Sequence, residues 1–130
     1  MSASKTALVV DCQAASLAVV SKMVGEEGYS VQSVKTGREA LKCLAEGTFN
    51  LIVSEHDMIP ITGMDLWRLI RKEPRHDDCL FLLLATLDYR HHLVHSGSEL
   101  PTILCKPFNR EMLAKMLLGD RDDEPGYFRI

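Results

Sequence analysis

The chain has no Cys-x-x-C pair: Cys12, Cys43, Cys79 and Cys105 lie far apart along its 130 residues. That spacing argues against a zinc ribbon or a disulfide framework and predicts reduced structural thiols, at least two of them buried. Basic residues are not in excess either, since 15 Lys and Arg stand against 18 Asp and Glu for a formal net charge of -3. This balance gives no sequence-independent attraction to nucleic acid or to an anionic membrane, and a basic arm is missing. Long apolar runs are absent as well. The opening MSASKTALVVD holds only a handful of apolar residues before Asp11, too few for a signal peptide or a membrane span, so the cytoplasm is the expected location. After the first apolar run, VVDCQAAS lacks the glycines that bring backbone amides around a phosphate, which argues against a nucleotide- or flavin-binding turn. No Ser/His/Asp nucleophile set, internal repeat or low-complexity segment is found, and no enzyme activity is expected.

What is present is the composition of a soluble globular protein, 46% hydrophobic and 25% charged, at a length that suits one domain. Its organising stretch is FNLIVSEHDMIPITGMDL, from Phe49 to Leu66. Leu51, Ile52 and Val53 run into Ser54, Glu55, His56 and Asp57, with Pro60 and Gly63 following. An apolar run that abruptly meets acids reads as a buried strand delivering carboxylates to a loop at its C-terminal end. In an open α/β sheet, ligands bind at that edge.

The rest of the chain alternates. TALVVD predicts a central strand with Asp11 at its end, and Leu17, Val20, Met23 and Val24 recur at helical spacing before Gly28. Residues 29–34 read as a second strand, and a helix opens at Gly37 and ends near Gly47. Leu66, Leu69 and Ile70 mark one face of a third helix stopped near Pro74, and residues 80–85 form an apolar run covered on both sides. RHDDC, residues 75–79, reads as a solvated loop, and the weak pattern between Asp88 and Gly97 predicts a short or ragged helix. A fifth strand over 102–105 precedes a helix capped by Asn109, with Met112, Leu113, Met116 and Leu117 as its buried stripe. The segment GDRDDEPGYFRI, 119–130, reads as a tail or linker stump. The alternation implies an α/β domain over 1–118, a five-stranded parallel sheet with helices on both faces, its strand ends gathered at one rim by right-handed crossovers.

Asp11, Glu55, Asp57, Thr86 and Lys106 all fall on that rim. Acids, a hydroxyl and an amine suit a hard cation and a phosphoryl group. Here ALVVD, KTGREALKCL, FNLIVSEHDM with Gly63, LLLAT and CKPFN resemble, in order, the receiver domain of bacterial two-component response regulators, of the chemotaxis-regulator kind. The resemblance spans about residues 5–118 and implies a flavodoxin-like sheet of strand order 2-1-3-4-5. In that family a strand-end aspartate accepts a phosphoryl group from a histidine kinase, two earlier acids help bind magnesium, and a hydroxyl and a lysine contact the phosphoryl oxygens. A cis peptide bond commonly precedes the proline after that lysine. Carried over, Asp11 resembles the first metal-binding acid, Thr86 the switch hydroxyl, with Ala85 one register away, and Lys106 the phosphate-contacting amine.

Two positions depart from the pattern. Cys12 stands where the second metal-binding acid belongs, and a thiol is a poor Mg²⁺ ligand. Glu55 stands at the phosphoacceptor position; its extra methylene carries the carboxylate toward where a phosphoryl group would sit. Two readings stay open, a permanent imitation of phosphorylation and a merely inert site. Asp57 is the alternative acceptor, or a source of metal charge lost at Cys12, so Mg²⁺ stays possible but weakened. His56 reads as a hydrogen-bonded loop residue. His91 and His95, with His92 between them, fit a transition metal at helical spacing but lack a third ligand, and Trp67 with Arg68 reads either as a partner surface or as cover for the core edge. The expected function is an atypical, phosphorylation-independent or phosphomimetic receiver acting through signalling partners, a histidine kinase or an output domain, without nucleic acid or membrane. In the family the last helix, fifth strand and preceding helix commonly form the partner or dimer face, here about residues 89–118; the shortened look of the fourth helix argues against the usual dimer, and a homodimer stays an alternative. The alternatives are a competent Mg²⁺-dependent phosphoacceptor and a cofactor-binding domain of the same fold.

Overall fold

Leu51, Ile52 and Val53 are wholly buried, and they form the central strand the sequence predicts. A computed structural model describes residues 5–119; beyond Gly119 the expected tail lies outside the described residues. Strands β1 (Lys5–Val10), β2 (Tyr29–Val34), β3 (Leu51–Glu55), β4 (Leu80–Thr86) and β5 (Thr102–Lys106) alternate with five helices. These are α1 (Ala14–Glu26), α2 (Gly37–Glu46), α3 (Gly63–Ile70), α4 (Leu87–His95) and α5 (Arg110–Leu117). All strands are parallel and lie in the order β2-β1-β3-β4-β5. The register sets Val10 beside Ser54, Glu55 beside Leu84 and Thr86 beside Lys106, which gathers the C-terminal ends of four strands on one rim.

Because successive strand residues point to opposite faces, the apolar runs feed two cores. Leu8, Val10, Ile52, Leu83 and Ile103 meet Ala40, Leu66, Ile70 and Leu93 of α2, α3 and α4. Val9, Leu51, Val53, Leu82 and Leu104 meet Leu17, Val20 and Val24 of α1 and Leu113 and Met116 of α5. Each such aliphatic side chain contributes roughly 1.5–3 kcal/mol by leaving water, so the near-continuous runs in β3 and β4 dominate the sheet's stability. α2 to α5 start where side-chain oxygens accept orphan amides: Thr36 from Glu39, Thr62 from Asp65, Thr86 from Tyr89 and Asn109 from Met112. Thr62 and Asp65 cap each other reciprocally, and the two Thr62 donors hold the Asp65 carboxyl below its ordinary value.

Several expectations need correction. The short fourth helix expected between Asp88 and Gly97 is present, but it starts at Leu87 and runs unbroken over nine residues, because the Thr86 cap starts it and Arg90 and Leu93 turn inward. Leu69 is 43% exposed while Leu66 and Ile70 are buried; at about 100° per residue it lies about 60° from Leu66 on the side away from Ile70, at the edge of the buried arc. In α5 only Leu113 and Met116 are buried, with Met112 and Leu117 flanking them half-covered. Among the thiols only Cys105 is buried; Cys43 and Cys79 are half-buried, Cys12 is exposed and all are free. Residues 75–79 are not wholly solvated either, since Pro74 starts a 3-10 turn that buries His76.

Gly63 joins this scaffold to the rim. An added Cβ would lie 2.5 Å from Leu83 Cδ1, 2.6 Å from the Glu55 carbonyl oxygen and 2.8 Å from His56 Cα. Replacing a helical glycine by alanine ordinarily gains about 1 kcal/mol, but here the backbone itself is struck. Gly63→Ala is therefore expected to destabilise by about 1–3 kcal/mol, read as a lowered urea midpoint; a variant as stable as the parent would contradict this packing.

Candidate functional site

Glu55 is the last residue of β3 and is 7% exposed. One carboxylate oxygen pairs with the Lys106 ammonium, which reaches across from the end of β5, and the other accepts the Asp57 N–H at 2.8 Å. The loop beyond is pinned by backbone bonds: His56 N–H to the Leu84 carbonyl (2.9 Å) and Gly63 N–H to the His56 carbonyl (3.0 Å). Asp11, the first residue after β1, is 3% exposed and accepts the Gln13 N–H on Oδ1 at 2.9 Å. Burial pushes its carboxyl above the ordinary value; the Gln13 amide opposes this, nearby Glu55 adds to it and Lys106 counters it. Among the described residues lining the site there are two buried carboxylates and one cation, Lys106, which is engaged by Glu55.

The structure brings Asp11, Glu55, Thr86 and Lys106 to one cleft of about 660 Å³, whose far wall is apolar and includes Val20, Met23 and Phe108. Thr86 borders it, but its hydroxyl accepts the Tyr89 N–H and is spent on starting α4, while Ala85 is buried. Asp57 is exposed. Its carbonyl accepts a hydrogen bond from the Cys12 thiol at 3.7 Å. Magnesium demands near-octahedral oxygen ligation. Around Asp11 and Asp57 the next donor is a thiol facing a carbonyl, and no group of three or more His, Cys, Asp or Glu among the described residues is arranged to hold a metal ion. Asp11 and the Asp57 carbonyl offer hard oxygens, and Cys12 adds a thiol where a second acid would strengthen the set. His91 and His95 meet ring edge to ring face at 4.3 Å, and the same absence of a third ligand applies to them.

His56 departs from its expected role as a hydrogen-bonded loop residue. Its Nδ1 is buried without a partner, and the ring lies flat on Tyr89, centroids 3.8 Å apart and 18° from parallel. Burial lowers its pKa against the pull of Glu55, Asp57 and Asp65, which favours the neutral ring that stacking suits. Tyr89 is the site-side residue missed by sequence reasoning; the signal was Thr86 as a cap, which would have placed Tyr89 in the first turn of a helix. Both Ile59–Pro60 and Lys106–Pro107 are cis, the second as the resemblance implies and the first unforeseen.

A raised carboxyl pKa makes the folded protein bind a proton more tightly than the unfolded chain, so ionised Asp11 costs stability at neutral pH. Asp11→Asn is expected to be more stable than the parent at pH 7. The gain should shrink as pH falls and vanish below the ordinary value of 3.8, as read from urea midpoints across pH. A gain that persisted at low pH would mean that desolvation of the charge is not its source.

Comparison with known proteins agrees with this geometry. The sequence model of the response regulator receiver domain matches residues 7–118. A probable chemotaxis protein CheY of Rhizobium etli is 26% identical over 109 residues, covering 82% of this chain and 84% of that protein. Among solved structures, the chemotaxis response regulator CheY4 of Vibrio cholerae is 28% identical with a TM-score of 0.76, over 90% of this chain and 98% of that one. The signal receiver domain of a signal transduction histidine kinase from Syntrophus aciditrophicus has a TM-score of 0.77 at 23% identity, covering 96% and 98%, and shows the shared fold. With its five-stranded parallel sheet, its rim of acids facing Lys106 and a family match over nearly all the described residues, the chain belongs to the response regulator receiver domains.

Proposed function

We propose that this receiver domain of a two-component system is atypical: it takes up no phosphoryl group and acts through contacts with other signalling proteins. The observation that carries this is the double engagement of Glu55. Its buried carboxylate is already held by Lys106 and by the Asp57 amide, so attack on a phosphodonor would first strip it of both partners. An incoming phosphoryl group would add negative charge beside Asp11, whose carboxyl pKa burial already raises, and a thiol, Cys12, follows Asp11 where a second acid would strengthen a cation site. The arrangement imitates one half of a phosphorylated site. A negative group engages Lys106, while the Thr86 hydroxyl stays with α4.

Such a pair biases the domain toward one state. A fully exposed ion pair is worth about 0–1 kcal/mol, whereas removing one partner of a buried pair costs about 3–5 kcal/mol; with Glu55 at 9% and Lys106 at 35% side-chain exposure, this pair lies between. Magnesium and other cofactors are not needed for this role, and the domain carries no enzyme activity of its own. Its partners are a histidine kinase or an output domain in the cytoplasm, or a second copy of the chain, and neither nucleic acid nor a membrane. Among the described residues no helix is long and apolar enough to cross a membrane.

One observation favours a second reading. Asp57 is exposed in the loop beyond β3, where a donor can reach it. Incubation with a small acyl phosphate and Mg²⁺, followed by intact-mass measurement, separates the two. The expected result is an unchanged mass. A gain of one phosphoryl group that disappears in Asp57→Ala would establish the second reading, and a gain that disappears in Glu55→Gln would overturn the inertness of Glu55.

A further inference from the structure

Trp67 lies in α3 and is the only tryptophan of the chain. Half-buried, it packs on the core, and the Arg71 guanidinium stacks over its ring at 4.6 Å. Arg68 and Lys72 flank this stack, and Ser98 and Glu99 from the loop before β5 close a groove of about 440 Å³. Glu99 pairs with Arg71, although its own side chain is 75% exposed. Arg68 reaches Asp65 only loosely, at 3.8 Å, and Lys72 has no ion pair among the described residues. A chain of net charge -3 therefore concentrates three cations around one aromatic floor.

We propose that this groove docks an acidic segment of a partner protein, with Trp67 as the floor, Arg68, Arg71 and Lys72 as carboxylate-binding groups, and Glu99 as a built-in competitor. Cations at a helix C-terminus meet the helix dipole in any protein. The dipole accounts for neither the tryptophan floor nor the loop wall that carries a carboxylate onto Arg71. Trp and Arg side by side are the residue types that dominate binding at protein interfaces. Glu99 shows where a carboxylate from outside would sit; a mostly exposed pair adds little net energy, so a multivalent acidic segment displaces it readily. Three cations are too few for the stripe of phosphate contacts that holds a nucleic acid on an acidic protein.

The inference rests on the interaction-module reading and names the chemistry of one partner. Trp67 is its own reporter. The full chain is titrated, with tryptophan emission as readout, with a short synthetic peptide alternating glutamate and leucine, and separately with its glutamine counterpart. A saturable change is expected with the acidic peptide alone, weakening as salt is added. Arg71→Ala or the pair Arg68→Gln and Lys72→Gln should weaken it about tenfold, whereas Glu99→Gln should tighten it several-fold. An equal response to both peptides, no response even in Glu99→Gln, or tighter binding of a single-stranded oligonucleotide would overturn the assignment. The phosphodonor experiment judges the rim alone. A failed titration beside an unchanged mass removes this groove and leaves the proposed function standing, while a mass gain beside a successful titration does the reverse.

Discussion

A single electrostatic constraint organises this molecule: the carboxylate at the end of β3 is almost wholly buried at the floor of the rim and must be neutralised from across the sheet. Lys106 does so only because β4 lies between β3 and β5 in register, with Leu84 beside Glu55 and Lys106 beside Thr86. The order of the strands, the length of the lysine and the extra methylene of the glutamate are thus one arrangement. Around it the electrostatics are lopsided. Asp11 shares the pocket without a cation of its own, and its carboxyl responds by holding its proton more tightly than usual.

That imbalance bears on what the rim can accept. A site with two buried carboxylates and one engaged ammonium attracts positive charge, yet the residue next to Asp11 is a thiol turned onto a backbone carbonyl. Soft sulfur in that place and hard oxygen chemistry are at odds. The remaining polar groups are turned to architecture. Thr86 starts a helix, and His56 gives up hydrogen bonding at Nδ1 to lie against Tyr89. The stack joins the loop after β3 to the first turn of α4, so the two segments bordering Glu55 are fastened to each other by rings.

Much of the fold could be read directly from the residues. β4 is an almost continuous apolar run, β3 an apolar run that meets Ser54 and Glu55, and β1 is followed by an acid, so both the two-sided burial and the polar rim followed from composition along the chain. Glu55 and Lys106 were legible because strand ends in a parallel sheet have one place to go. What escaped depended on angle and partner. Leu69 looks like its neighbours until its position around the helix is counted. The fourth helix reads only as short or ragged because it has few apolar residues; its unbroken course depends on a threonine cap and an arginine turned inward. The contact of His56 with Tyr89 joins residues whose meeting depends on that same helix. His76 is buried by a turn rather than by any periodic pattern.

The division of the interior into two layers has a consequence for how such a protein changes over time. Every central strand lends alternate side chains to each layer, and the sheet stands between them as a septum. A substitution that reshapes the α2–α4 side meets backbone, not side chains, when its effect travels toward α1 and α5. One flank can therefore drift to suit a new associate while the other keeps its contours, and a domain of this size can serve two masters without being redesigned for either.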